Sequence, residues 1–189
     1  MHLARIELTN FKNYEEVSLD FSPGFNCFVG NNGVGKTNIL DAVHYLSLTK
    51  SFFNNSDTLS IRYGEDYFIL KGLFEKDGSQ DELFCAFQKQ KQKVFKLNGK
   101  EYPRMSDHVG RYPVVMLSPA DSMIITGGSE ERRRFLNMII SQYDPVYLEA
   151  HMRYNKALMQ RNRVIREGGP DTDSMLEIYD EQMVPEAQI

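Results

Sequence analysis

Apolar and polar residues alternate through Leu3–Leu8 (LARIEL) and Glu15–Phe21 (EEVSLDF), the period of two that puts every second side chain on one face of a strand. Phe25–Gly30 (FNCFVG) is nearly all apolar and ends at a glycine-rich stretch, which predicts a strand buried on both faces. Beyond that stretch Ile39, Leu40, Val43, Leu46 and Leu48 recur at helical spacing, so the order is strand, loop, helix. Strand patterns return between about Tyr63 and Tyr102, in DYFILKGLF, ELFCAFQKQ and KVFKLNGKEY. Asn98-Gly99 suits a type I′ hairpin turn, and the region reads as a meandering antiparallel lobe over about residues 61–112. YPVVMLSP predicts one more buried strand, closed by Pro119.

From Ser129 the period becomes helical. Glu130 and Glu131 favour a helix N-terminus, and Phe135, Leu136 and Ile139 supply an apolar face. Asp144 as cap with Pro145 in the first helical position starts a second helix toward Arg166, ended by Gly168-Gly169-Pro170. The predicted organisation is an α/β domain over residues 1–128 and the start of a helical domain over 129–189, with no internal repeat.

Composition narrows the class. A chain of 189 residues that is 41% hydrophobic can bury a core, and no apolar run approaches the roughly 20 residues that cross a bilayer. The reading is a soluble cytoplasmic protein. Cys27 and Cys85 both lie in strand-like apolar runs without metal-ligand spacing, which predicts two reduced, buried thiols. The net charge of −4 hides an asymmetry: residues 129–167 hold 8 basic and 5 acidic side chains, and 168–189 hold none and 6. A basic helical region followed by an acidic tail is also what a solvated helix with a frayed end would give.

The strongest chemical signal is Gly30-Asn31-Asn32-Gly33-Val34-Gly35-Lys36-Thr37-Asn38, which satisfies the P-loop pattern in full. Glycines let successive backbone N–H groups converge on phosphate oxygens, and the following helix points its positive end at the same anion. Lys36 would supply a mobile charge to the β- and γ-phosphates of ATP, and the Thr37 hydroxyl a ligand to Mg²⁺. Hydrolysis also needs a polarised water and a metal held from a second side, usually by an acid at the end of a buried strand. Asp121 is the one candidate, and Ser118, Pro119 and Ala120 separate it from Leu117. Three roles stay open for it: metal-holding acid, loop residue near the γ-phosphate, or turn residue.

With these residues in view, LARIELTNFKNY, GNNGVGKTNILDAVHYLS, LNGK and LSPADSMIITGGSEERRRFLN together resemble the N-terminal half of the RecF family, relatives of the SMC and ABC-type ATPases. The last block is the most specific, and the resemblance covers about Met1–Arg166. It implies a P-loop ATPase-type mixed sheet with a β lobe, then the start of a helical arm domain. It implies an ATP- and Mg²⁺-dependent, DNA-binding protein of DNA replication, recombination, repair and the SOS response. Its partners would be gapped DNA at a single-strand/double-strand junction, a second copy of itself around two nucleotides, and a pathway protein such as RecR. In the family the signature that contacts the partner's γ-phosphate and the completing acid lie in the C-terminal half, so the chain is expected to be a truncation with little hydrolytic activity. TKSFFNNSD lacks an arginine where the family usually has basic residues after the P-loop helix, so that part of the implied DNA contact is not carried over.

Two basic groups bear on DNA. Lys89, Lys91 and Lys93 alternate as if from one face of a strand, with Lys96 and Lys100 flanking the hairpin turn; such a row could neutralise phosphates or blunt a sheet edge. Arg132, Arg133 and Arg134 point in different directions round a helix, and Arg134 has Glu130 at four-residue spacing. Competing functions are a small-molecule P-loop kinase, which would need an arginine-rich lid and an acceptor-binding acid, and an SMC-like fragment acting as a nucleotide-binding module.

Overall fold

The computed structural model describes residues 1–169 and 171–189, with the backbone alone at 120 and 123. The chain forms two compact units, Met1–Leu117 and Ser118–Ile189.

Six strands form one sheet in the first unit: β1 (His2–Phe11), β2 (Tyr14–Asp20), β3 (Tyr67–Lys76), β4 (Ser79–Gln88), β5 (Val94–Leu97) and β6 (Lys100–Glu101), in the order β2-β1-β3-β4-β5-β6. Every ladder is antiparallel. Alternation sets which face is buried: Ile6 and Leu8 of β1 and Phe68, Leu70 and Phe74 of β3 point into the core. The predicted turn forms, with Asn98 and Gly99 both at positive φ (50° and 78°), and Asp77-Gly78 joins β3 to β4 in the same way (51° and 80°). The lobe expected over residues 61–112 is continuous with the N-terminal hairpin, because β3 pairs with β1.

One helix, α1 (Lys36–Leu48), covers the buried face. It packs tightly over β3 at Gly72, where a Cβ would lie 2.8 Å from a methyl group of Leu46. Phe11, Tyr45 and Phe68 meet edge to face at 5.4 to 6.2 Å between ring centres. His108 is fully buried against Phe95, Tyr102 and Tyr112. Its Nε2–H donates to the Leu46 carbonyl (2.7 Å), so its Nδ1 accepts from the Tyr102 hydroxyl (3.2 Å).

Two predicted strands are not formed. Residues 25–29 and 113–118 join no ladder, and Phe25, Val29, Val115 and Leu117 are exposed. Cys27 is likewise exposed, against the expectation of a buried thiol, whereas Cys85 is buried. Apolar character makes a segment competent to be a central strand, but a ladder needs a neighbouring backbone, and the antiparallel sheet offers these two none.

The second unit is helical: α2 (Met123–Thr126), α3 (Ser129–Tyr143), α4 (Pro145–Glu167) and α5 (Thr172–Glu186). The predicted cap is formed, the Asp144 carboxylate accepting from Val146 N–H (2.8 Å) and Tyr147 N–H (3.2 Å) with Pro145 opening α4. Gly168, at φ 64°, closes α4; Pro170 of the predicted stop lies outside the described residues. The acidic tail is a helix and not a frayed end. Arg153 holds both oxygens of Glu186 (2.6 and 2.8 Å), and Arg161 pairs with Asp180 (2.6 Å), so the charge asymmetry zips α4 to α5 in antiparallel fashion. Among the described residues no helix is long and apolar enough to cross a membrane.

Candidate nucleotide site

Gly30, Gly33 and Gly35 have φ of 150°, 85° and 105°, backbone shapes that L side chains rarely adopt, and α1 begins at Lys36. Such backbone shapes let successive N–H groups of the loop turn toward a common anion, and the loop stands at the positive end of a 13-residue helix. The Lys36 ammonium donates to the Gly30 carbonyl (2.8 Å) and the Asn31 carbonyl (2.7 Å). Two of its three N–H bonds hold the loop, leaving one for an incoming anion. Thr37 is exposed at the second helical position, so its hydroxyl is open to a metal bound beside the phosphates.

Structure adds residues that spacing alone did not mark. The two-residue turn between β1 and β2 reaches the loop: Asn13 Nδ2 donates to the Val34 carbonyl (3.1 Å), and Asn38 Nδ2 donates to Asn13 Oδ1 (2.7 Å). Behind it, the fully buried Asp41 carboxylate accepts from Lys12 Nζ (2.6 Å), the Ser51 hydroxyl (2.7 Å) and Phe52 N–H (2.7 Å). That carboxylate ties the hairpin turn, α1 and the segment after α1 to one point. His44, also buried on α1, donates from Nδ1 to the Lys50 carbonyl (3.0 Å), and burial lowers its pKa. The signal for Asp41 was an acid one residue off the apolar stripe of α1, which by itself predicts a solvated position.

The remaining candidates separate. Asp121 lies in a 3₁₀ turn (Pro119–Ser122), its carboxylate accepting from its own turn's Ser118 N–H, which is the geometry of a turn residue. Lys89, Lys91 and Lys93 do not share a strand face, because β4 ends at Gln88 and β5 begins at Val94. Lys89 pairs with Asp66 (3.0 Å) and donates to the Glu65 carbonyl (2.7 Å). Lys93 is largely buried and donates to Asp57 (2.9 Å), the Thr49 carbonyl (2.6 Å) and the Tyr45 hydroxyl (3.1 Å). Lys91 is exposed. Arg132 caps the Gly127 carbonyl (3.1 Å) and Arg133 the Ser129 hydroxyl (2.9 Å). No ion pair joins Arg134 to Glu130 among the described residues, both being solvated on the first turns of α3.

A glycine loop at positive φ wrapped over a lysine at the start of a sheet-packed helix defines a P-loop ATPase domain, and the chain belongs to the family of AAA ATPase domains, whose model matches residues 1–163. Over 190 aligned residues it is 48% identical to the DNA replication and repair protein RecF of Bacteroides fragilis, covering all of this chain and 51% of that protein. A solved structure of the recombination mediator protein RecF-ATPrS in the RecFOR pathway superimposes with a TM-score of 0.88 at 30% identity, over 98% of this chain and 51% of that one. A structure from work on ATP-driven dimerization and DNA-stimulated activation of SMC ATPases shares the fold, with a TM-score of 0.59 at 23% identity over 74% of this chain and 99% of that one. The chain spans about half the length of the curated relatives it matches.

Proposed function

We propose that this chain is the nucleotide-binding N-terminal half of a RecF-type ATPase of DNA replication and repair. The observation that carries the reading is the loop 30–38: three glycines at positive φ, Lys36 folded across the mouth and α1 aimed at it, in a chain similar over its whole length to RecF proteins. ATP binds with its phosphates against that loop, and Thr37 would hold Mg²⁺. Residues 1–128 act as the nucleotide-binding part and 129–189 as the start of a helical arm. The unpaired apolar runs 25–29 and 113–117, with Phe25, Val29, Val115 and Leu117 exposed, are where strands of the rest of a longer protein add to the unit, which completes the second side of the site. In that longer form the protein dimerises around ATP, engages gapped DNA and answers to a pathway partner such as RecR. Among the described residues a kinase reading does not find an arginine-rich lid together with an acceptor-binding acid at a strand end.

Isothermal titration of the purified chain with Mg²⁺-ATP tests the first step. Lys36→Ala is expected to weaken binding at least tenfold with an unchanged unfolding midpoint, since it removes a charge-assisted contact from an exposed loop. Equal affinity in the two proteins would refute the assignment.

A further inference from the structure

We propose that Asn13, in the turn between β1 and β2, is a positioning residue of the nucleotide site, holding the Val34–Gly35 peptide so that its N–H faces bound phosphate; the inference rests on the P-loop reading above. Asn13 touches no nucleotide in this role and acts through the loop.

The argument begins with a planar group. No peptide bond in the described chain is cis, so the Val34 carbonyl and the Gly35 N–H point in opposite directions across one plane. Fixing the carbonyl fixes the N–H. The Val34 carbonyl is held by Asn13 Nδ2 at 3.1 Å, with the Tyr14 hydroxyl at 3.5 Å as a longer second donor. The Gly35 N–H is thereby turned to the opposite side, away from Asn13, where phosphate is proposed to sit. Asn13 is itself locked, since its Oδ1 accepts from Asn38 Nδ2 at 2.7 Å. The Val34 carbonyl can only accept, which makes Nδ2 the end of the Asn13 amide that faces it, and the Asn38 bond then ties the clasp to the first turn of α1.

A second observation shows how closely the turn is seated. A Cβ at Gly35 would lie 2.5 and 2.7 Å from the Asn13 amide atoms and 2.9 Å from the Tyr14 hydroxyl. Position 35 is therefore doubly restricted to glycine, by its φ of 105° and by the clasp resting against it. The clasp also has a rigid base. Lys12, the residue before Asn13, is pinned by its ammonium to buried Asp41 (2.6 Å) and by its N–H to the Ser60 carbonyl (2.8 Å). A loop rich in glycine has many conformations to lose on binding a phosphate, and a prepaid orientation removes part of that entropy.

Backbone N–H groups of a P-loop hold the α- and β-phosphates, so the effect belongs to ADP and ATP alike. Titration calorimetry of the purified chain with each nucleotide, beside its thermal unfolding, tests the idea. Asn13→Ala is expected to weaken both nucleotides by about tenfold, the scale of one hydrogen bond that orients a second, with the unfolding midpoint unmoved. Asn38→Ala is expected to weaken them less, and the double variant no more than Asn13→Ala, because the two side chains form one clasp. A lowered midpoint with full affinity at low temperature would assign Asn13 a structural role only and overturn the inference. Full affinity in Asn13→Ala while Lys36→Ala loses binding would do the same and leave the P-loop reading standing. Full affinity in Lys36→Ala, or none in the unaltered chain, would sink that reading and this inference with it. Should Asn13→Ala fail to fold, Asn38→Ala decides, and unaltered affinity in that variant overturns the proposal.

Discussion

Three lysines that look alike in the sequence have different fates in the structure. Lys93 is largely buried against Asp57, the Thr49 carbonyl and the Tyr45 hydroxyl, so Lys93→Glu sets a second carboxylate beside Asp57 and leaves three acceptors facing it. The expected cost is about 2 to 4 kcal/mol, seen as a lower urea midpoint with an unchanged slope. Lys91→Glu, on an exposed side chain, is expected to leave stability within about 0.5 kcal/mol. If Lys91 meets a DNA phosphate, the same change lowers the slope of log affinity against log salt by about 0.9, read by titrating duplex DNA at several salt concentrations. Acid stability has its own residue. Burial pushes His108 down to about 4, below the 6.5 of an unfolded histidine. The unfolded chain therefore takes up the proton first. The stability that neutral His108 provides is complete above pH 6.5 and is lost as pH falls from there through 4, on the order of 3 kcal/mol in all. Buried His44, also lowered, adds in the same direction. His108→Gln is expected to flatten this part of a plot of unfolding midpoint against pH, and an unaltered profile would count against the assignment.

Among the elements, those set by local chemistry are the ones readable from residues. Asn98-Gly99 turns as a type I′ hairpin because both positions accept positive φ, and Asp144-Pro145 starts α4 because a carboxylate cap and a preset φ need no distant partner. Helix α5 was not visible as an element, since its acidic surface carries little periodic signal. What orders it is α4, through Arg153–Glu186 and Arg161–Asp180. Reversing both arginines to glutamate is expected to speed limited proteolysis within residues 168–189 while leaving cleavage of the first unit unchanged, as mapped by mass spectrometry. Equal cleavage rates would show that apolar packing alone holds the hairpin. The lysine row failed at the same scale: β4 ends at Gln88 and β5 begins at Val94, so Lys89, Lys91 and Lys93 all fall in the connection between them, and a strand end is the least certain part of a periodic pattern.

For the whole molecule, the cradle and the catalytic complement part company. The P-loop supplies one side of the shell around a γ-phosphate, and phosphoryl transfer also needs a placed water and charge from a second side. Each missing transition-state donor costs about 10²- to 10³-fold. Asp121, the acid available in the sequence, spends its carboxylate on the Ser118 N–H. The 189-residue chain is therefore expected to bind ATP and release almost no phosphate from it. Robust Mg²⁺-dependent phosphate release, abolished by Lys36→Ala, would overturn this and return attention to Asp121.

The sequence by itself determined whatever depends on neighbours a few residues apart: the glycine loop and its lysine, the alternation of β1 and β3, the hairpin turn and the cap of α4. Backbone φ preferences and short-range hydrogen bonds act within one turn or one hairpin, so residue type and spacing carry them in full. Only the tertiary structure decided the rest. Asn13 reaches Val34, Lys12 reaches Asp41 and Lys93 reaches Asp57 across separations that no periodic pattern records. Phe25–Val29 and Val114–Leu117 have the composition of central strands and join no sheet, because a strand is completed by the backbone beside it, and which backbone lies there is a property of the folded whole.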